Sequence, residues 1–150
     1  MGRILGIGAS LIANMYSTCQ LAKLLALKRD IDPELAGLAC VFHDIHTILT
    51  GSSKNHGMKA EPHVREIVAE YNEKWRLQLP AIAENELERL VNAVKDHSDK
   101  IAISEDPLAE LVKDVDTLDA YLHGMTTEVS NGRLNRANQV LEELSLNLRL

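Results

Sequence analysis

Residues 39–46 are Ala39-Cys40-Val41-Phe42-His43-Asp44-Ile45-His46, the stretch most informative about the fold. An imidazole and a carboxylate follow an apolar run with the pattern of a buried helix. Burying either His43 or Asp44 without a partner costs free energy, and both are good ligands for a divalent metal ion. A metal site accounts for the pair more economically than the alternative, a partly exposed helix end at which Asp44 holds the histidine ring.

Apolar residues on both sides of this stretch recur at helical spacing. They predict an all-α, single-domain bundle of five to six main helices over residues 1–150. Asp32-Pro33 and Asp106-Pro107 have the pattern of an N-cap followed by the first helical residue, and Gly124 is a plausible helix stop. We expect no strand, and helices at about residues 5–29, 33–49, 58–77, 84–97, 107–123 and 135–148.

The amino-acid composition supports a helical fold and limits the classes of molecule that the protein could bind. The 150 residues are 45% hydrophobic but include only one Trp, three Tyr and one Phe, so the core is aliphatic. Aliphatic composition favours helices over a β-sandwich. The net charge of -6 argues against a nucleic-acid polymer as partner, although a bound metal would still attract a small phosphorylated substrate. No apolar run is long enough to span a membrane.

Cys19 and Cys40 are the only cysteines, and they lack Cys-x-x-Cys spacing. Each lies in an apolar helical stretch, so reduced, buried thiols are the simplest interpretation. The mildly apolar first fifteen residues lack a convincing signal-peptide cleavage site. We therefore expect a cytoplasmic protein.

Three further polar residues occur where they could reach the same site. Asp116 lies beside an inward stripe of its helix, His97 ends the fourth helix on its inward side, and His56 lies in the loop before the third helix. Each alone is more simply explained as a surface or capping residue. Asp114 is expected on another face of the helix, as is Asp119, which is kept as a backup candidate.

Taken in order, these blocks resemble the HD-domain superfamily, the helical metal-dependent phosphohydrolases. The resemblance covers roughly residues 15–123. Residues 41–45 are similar to the family's His-Asp block, residues 56–61 and 91–97 to segments that carry two further His, and residues 115–119 to its closing Asp block. It implies that the metal ligands are His43, Asp44 and Asp116, with His56 and His97 binding a second ion or phosphate.

The resemblance also implies an activity. The chain would be a divalent-metal-dependent phosphohydrolase acting on a phosphomonoester or nucleotide through a metal-activated water. Asp44, His97 and His56 would be catalytic, Asp44 by bridging ions and either His as general acid. One or two ions of Mn, Fe, Co, Ni, Zn or Mg would bind, since mixed N and O ligands do not discriminate among them.

Other parts of the chain are candidates for supporting roles. Three lysines could attract a phosphate group: Lys54, Lys59 and Lys95. The last helix carries an apolar stripe that could form a homodimer interface or simply cap the core.

The chain departs from the family pattern at three positions. The expected first His aligns with Tyr16, and no His precedes His43. After His-Asp-Ile the family usually has a small residue, but this chain has His46. The next position is often Lys in the family, but here it is Thr47. Tyr16 or His46 could replace the missing ligand. Alternatively, the domain is degenerate and binds a nucleotide or protein partner without catalysis, or it is a plain helical bundle without a metal.

Overall fold

A computed structural model of the protein describes residues 2–124 and 131–145. Over these residues the chain forms helices and no strand, which confirms the predicted all-α fold. None of the described helices is both long and apolar enough to cross a membrane. The helices are α1 (Gly2–Arg29), α2 (Pro33–Phe42), α3 (Ile45–Thr50), α4 (His56–Lys59), α5 (Glu61–Trp75), α6 (Glu84–Asp96), α7 (Pro107–Leu122) and α8 (Asn131–Glu143).

Two of the predicted helices are interrupted. The helix expected at residues 33–49 breaks at residues 43–44, which separates α2 from α3. The helix expected at residues 58–77 begins earlier, as the short α4, and α5 follows it after Ala60. The last helix begins and ends before the predicted bounds of 135–148, and residues 146–148 lie outside the described part of the chain.

Both predicted N-caps are formed, and they set the start of two helices that carry site residues. The Asp32 carboxylate accepts hydrogen bonds from the backbone N–H of Glu34 at 2.8 Å and of Leu35 at 3.3 Å. The Asp106 carboxylate accepts one from the backbone N–H of Leu108 at 2.9 Å. These bonds satisfy N–H groups that have no partner within the helix.

The main core lies where α1, α2, α6 and α7 meet, and α8 packs over α7. The spacing of Leu11, Met15, Cys19, Ala22 and Ala26 predicts one inward face of α1, but Leu11, Met15 and Cys19 are only half-buried. Both cysteines are free. Leu141 of α8 and Leu144, directly after the helix, pack against the core, so this end of α8 caps it. The buried stripe of α1 contains Thr18, Ala22, Leu25 and Ala26.

A network of charged residues fastens α7 to α1 and α8. Asp114, which we expected on another face of its helix, is buried. Its carboxylate pairs with Arg29 on α1 and with Arg136 on α8, each at 2.6 Å. Arg29 also pairs with Glu143, and Arg136 with Glu110. The network fixes the position of α7, the helix that carries Asp116.

Candidate metal centre

The His-Asp pair lies at the break between α2 and α3. His43 keeps helical dihedrals of φ -57° and ψ -37° at the end of α2. Asp44 leaves the helix at φ -106° and ψ 13°, and its side chain makes no capping bond to α3. His43 is fully buried, whereas the Asp44 side chain is 21% exposed. The Asp44 carboxylate is therefore free to interact with residues from other helices.

All five residues singled out in the sequence come together around this carboxylate. Nε2 of His43 lies 3.3 Å from Asp44 Oδ2 and 3.4 Å from Asp116 Oδ1. Asp44 Oδ1 lies 3.1 Å from Nε2 of His56 and 4.0 Å from Nε2 of His97. Four separate parts of the fold thus contribute to one cluster, with Asp44 at its centre.

The three histidines of the cluster are oriented in the same way. In each, Nδ1 donates a hydrogen bond to the backbone carbonyl of the residue three positions earlier, so that Nε2 faces the cluster. This is the arrangement by which proteins usually orient a metal-binding imidazole. The pairs are His43 with Cys40 at 2.5 Å, His97 with Val94 at 2.6 Å, and His56 with Ser53 at 3.0 Å.

The Nε2 atoms lack partners suited to neutral imidazoles. Nε2 of His56 and Nε2 of His97 are 2.9 Å apart, so without an added proton or cation two lone pairs would face each other. Nε2 of His43 is buried and has no well-aligned hydrogen bond. Ligand atoms of Asp44, His56 and His97 lie within 4.8 Å of one another. This donor set fits a divalent cation.

The carboxylates of the cluster are ionised. Burial opposes ionisation of Asp44, but its contacts with His43 and His56 overcome this effect and lower the Asp44 pKa. Burial likewise opposes ionisation of Asp116, yet the charges of Lys100 and His43 hold its pKa well below the ordinary value. Two negative charges are therefore available to a cation.

The three imidazoles differ in their environments. Burial lowers the pKa of His97 to about 3, and the charges of Lys100 and His43 act in the same direction. A hydrogen bond to Asp44 raises the pKa of His56. Burial would lower the pKa of His43, but Asp116 and Asp44 raise it to about 10. His97 is thus neutral, the form that binds metals, whereas the neighbouring carboxylates favour the protonated forms of His43 and His56.

Lys100, which the sequence analysis missed, is part of the centre. It lies between α6 and α7 and pairs with Asp116 Oδ2. Of the lysines that were singled out instead, Lys95 pairs with Glu61 at 3.0 Å, and Lys54 and Lys59 are exposed. A lysine three residues after His97 was visible in the sequence, but its burial depends on how the loop folds.

Neither candidate replacement for the missing histidine joins the cluster. Tyr16 is 72% exposed, and Nδ1 of His46 lies 3.2 Å from Nε2 of His63. Asn14 of α1 reaches α7 near the cluster, where its amide donates a hydrogen bond to Asp119 Oδ2 at 2.7 Å. Asp119, the backup candidate, is buried and is engaged in this bond.

Gly57 lets α4 approach α6 closely. A Cβ atom at this position would lie 2.8 Å from Ser98 Oγ and 2.9 Å from the carbonyl oxygen of Val94, the same oxygen that orients His97. We expect Gly57→Ala to push His56 away from His97 and weaken Mn²⁺ binding about 10- to 100-fold, as when a metal ligand loses its support. Isothermal titration with Mn²⁺ measures this loss.

The matched control for Gly57→Ala is Met58→Ala. Met58 is 63% exposed on the same helix, so we expect its replacement to leave binding unchanged. Alanine forms helices better than glycine by about 1 kcal/mol, so a loss at residue 57 would reflect the steric contact. Equal affinity of Gly57→Ala and the native protein would contradict this interpretation.

Comparison with known families agrees with the family resemblance seen in the sequence. The family model described as HD domain matches residues 11–121, which is most of the chain. No curated protein and no solved structure matched the chain significantly. The match confirms the resemblance, and this chain therefore belongs to the HD-domain family.

Proposed function

We propose that this protein is a divalent-metal-dependent phosphohydrolase that acts on a phosphomonoester or a nucleotide. The observation that carries the proposal is the set of three imidazoles fixed through Nδ1, with Nε2 directed at a shared, ionised carboxylate. His43, Asp44, Asp116, His56 and His97 are the residues we expect to hold one or two ions. The HD-domain match supports the reaction class.

The roles of the residues follow from their surroundings. A divalent cation here would supply Lewis acidity, which lowers the pKa of water and polarises a phosphate ester. Both carboxylate oxygens of Asp44 face the cluster, so Asp44 is the residue that would be suited to bridging two ions. His97 is buried and neutral, which suits a ligand. His56 is partly exposed and is better placed to give a proton to a leaving group.

The substrate class rests on charge as well as on the family. A phosphate ester is an anion, and the positive charges at the centre, Lys100 and a bound cation, would attract it despite the chain's net charge of -6.

The two free thiols fit the reducing cytoplasm, where we expect the enzyme to act.

The second candidate function is a degenerate HD domain that binds a nucleotide or a protein partner without turnover. One observation favours it: the chain has no histidine before His43, and Tyr16, at the expected position, is exposed. A domain that lost one ligand could keep an ion in a structural role.

The two candidates are separated by measuring metal content and turnover on the same sample. The purified protein is loaded with Mn²⁺, Co²⁺, Ni²⁺ or Mg²⁺, and phosphate release is followed on a panel of phosphomonoesters and nucleotides. We expect a stoichiometric ion and metal-dependent release. His63→Ala, outside the cluster, serves as control. A loaded but inert protein would support the binding module, and a protein without an ion would overturn the hydrolase proposal.

Tyr16→Phe tests whether the phenol replaces the missing ligand. Because Tyr16 is 72% exposed, we expect unchanged metal content and a stability change within about 0.5 kcal/mol. Elemental analysis and thermal unfolding check both. Loss of the ion from Tyr16→Phe would mean that the phenol is a ligand after all.

A further inference from the structure

Lys100 is a buried cation inside the candidate metal centre. Only 8% of its side chain is exposed. Its ammonium pairs with Asp116 Oδ2 and donates a hydrogen bond to the backbone carbonyl of His97. A lysine side chain loses considerable rotamer freedom when it is held in one place, so these two partners define its position.

The position of Lys100 determines what Asp116 can still bind. Oδ1 of Asp116 faces Nε2 of His43 at 3.4 Å, and Oδ2 faces the ammonium. A metal ion on the same carboxylate would lie close to the ammonium, where like charges repel strongly in a partly desolvated site. Asp44, His56 and His97 form a second group of ligand atoms that does not include Asp116, the carboxylate paired with the ammonium.

The charges of the centre lead to the same conclusion. Counting every imidazole as neutral gives the smallest positive charge for the centre: two carboxylates, one ammonium and one divalent cation then leave a net charge of +1. A second divalent cation would raise this to +3 beside His43 and His97, which are 0% and 1% exposed. Such an excess of buried positive charge is costly. One cation is the number that the fixed charges accommodate.

We infer that Lys100 takes the place of a second metal ion, so that the centre binds a single divalent cation at Asp44, His56 and His97 while Lys100 neutralises Asp116. The inference rests on the proposed function, because it concerns the same centre. It narrows the five candidate ligands to three and makes Lys100 a residue that determines metal stoichiometry.

The test is a titration with Mn²⁺, followed by calorimetry and by electron paramagnetic resonance, which distinguishes an isolated ion from a coupled pair. We expect one Mn²⁺ per native chain. Lys100→Met keeps most of the stem but removes the charge and frees Asp116, so it should bind two. Lys100→Arg keeps the charge and should bind one. The matched control is Lys59→Met, which removes an exposed lysine from α4 and should also bind one.

The outcomes distinguish this inference from the proposed function. Two ions in the native protein, or a single ion in a folded Lys100→Met variant, would overturn the inference and leave the hydrolase proposal standing. No bound Mn²⁺ in the native protein would overturn both. If Lys100→Met does not fold, the native stoichiometry decides, with one ion supporting the inference and two overturning it.

Discussion

Replacing Asp44 with alanine is expected to abolish metal binding and metal-dependent activity together. Both oxygens of Asp44 face cluster residues, and its side chain makes no capping bond that folding requires. The affinity for Mn²⁺ should fall by more than about 100-fold, the upper end for loss of a ligand's supporting partner. Loss of several kcal/mol of transition-state stabilisation would lower kcat/KM about 10³-fold or more.

Thermal unfolding gives a readout of the Asp44 variant that does not depend on turnover. Mn²⁺ at about 100 times its Kd should stabilise the native protein by about 2.7 kcal/mol, which raises Tm by roughly 5–10 °C. Asp44→Ala should show no such rise, whereas Glu70→Ala, which removes an exposed carboxylate from α5, should behave as the native protein does. A normal Mn²⁺-dependent shift in Asp44→Ala would exclude the proposed centre.

Replacing Asp114 with alanine is expected to cause a large loss of stability. The change leaves two partly buried guanidinium groups, of Arg29 and Arg136, without their shared carboxylate. Breaking a buried ion pair typically costs about 3–5 kcal/mol. Each arginine here keeps a second carboxylate, so we expect about 2–3 kcal/mol and a fall in Tm of roughly 5–10 °C.

Chemical denaturation of the metal-free protein measures the Asp114 effect. The matched control is Glu142→Ala, which removes an exposed carboxylate from α8 next to Glu143 and should change stability by less than about 0.5 kcal/mol. Equal stability of the two variants would mean that the network does not hold α7 in place.

Local signals in the sequence predicted most of the fold. Asp32 and Asp106 were identifiable as caps from local sequence. The carboxylate accepts hydrogen bonds from the free N–H groups of the first turn, and the proline that follows suits the first helical position. The breaks at residues 43–44 and at Ala60 were not predicted. No glycine or proline marks the break at residues 43–44, and apolar spacing continues across it, so only packing between helices reveals it. Pro62, in the first turn of α5, is a local signal for the start of that helix after Ala60.

The candidate site was predicted residue by residue where a motif exists and missed where the contact is long-range. His43, Asp44, His56, His97 and Asp116 occur in blocks with a recognisable order. Lys100 and Asn14 belong to no block, and their roles depend on side-chain contacts with α7. Asp114 and Asp119 were expected to face elsewhere because acidic residues are usually solvated, yet partners from α1 and α8 allow their burial.

The break in the helix at residues 43–44 also explains why two adjacent residues can act on one centre. Neighbouring side chains of an uninterrupted α-helix diverge by about 100° around its axis, so they cannot converge on a common point. The change of dihedral angles at Asp44 removes this divergence. The dipeptide thereby presents an imidazole and a carboxylate to the same cluster, so restoring a continuous helix here would separate the two groups with every side chain still present.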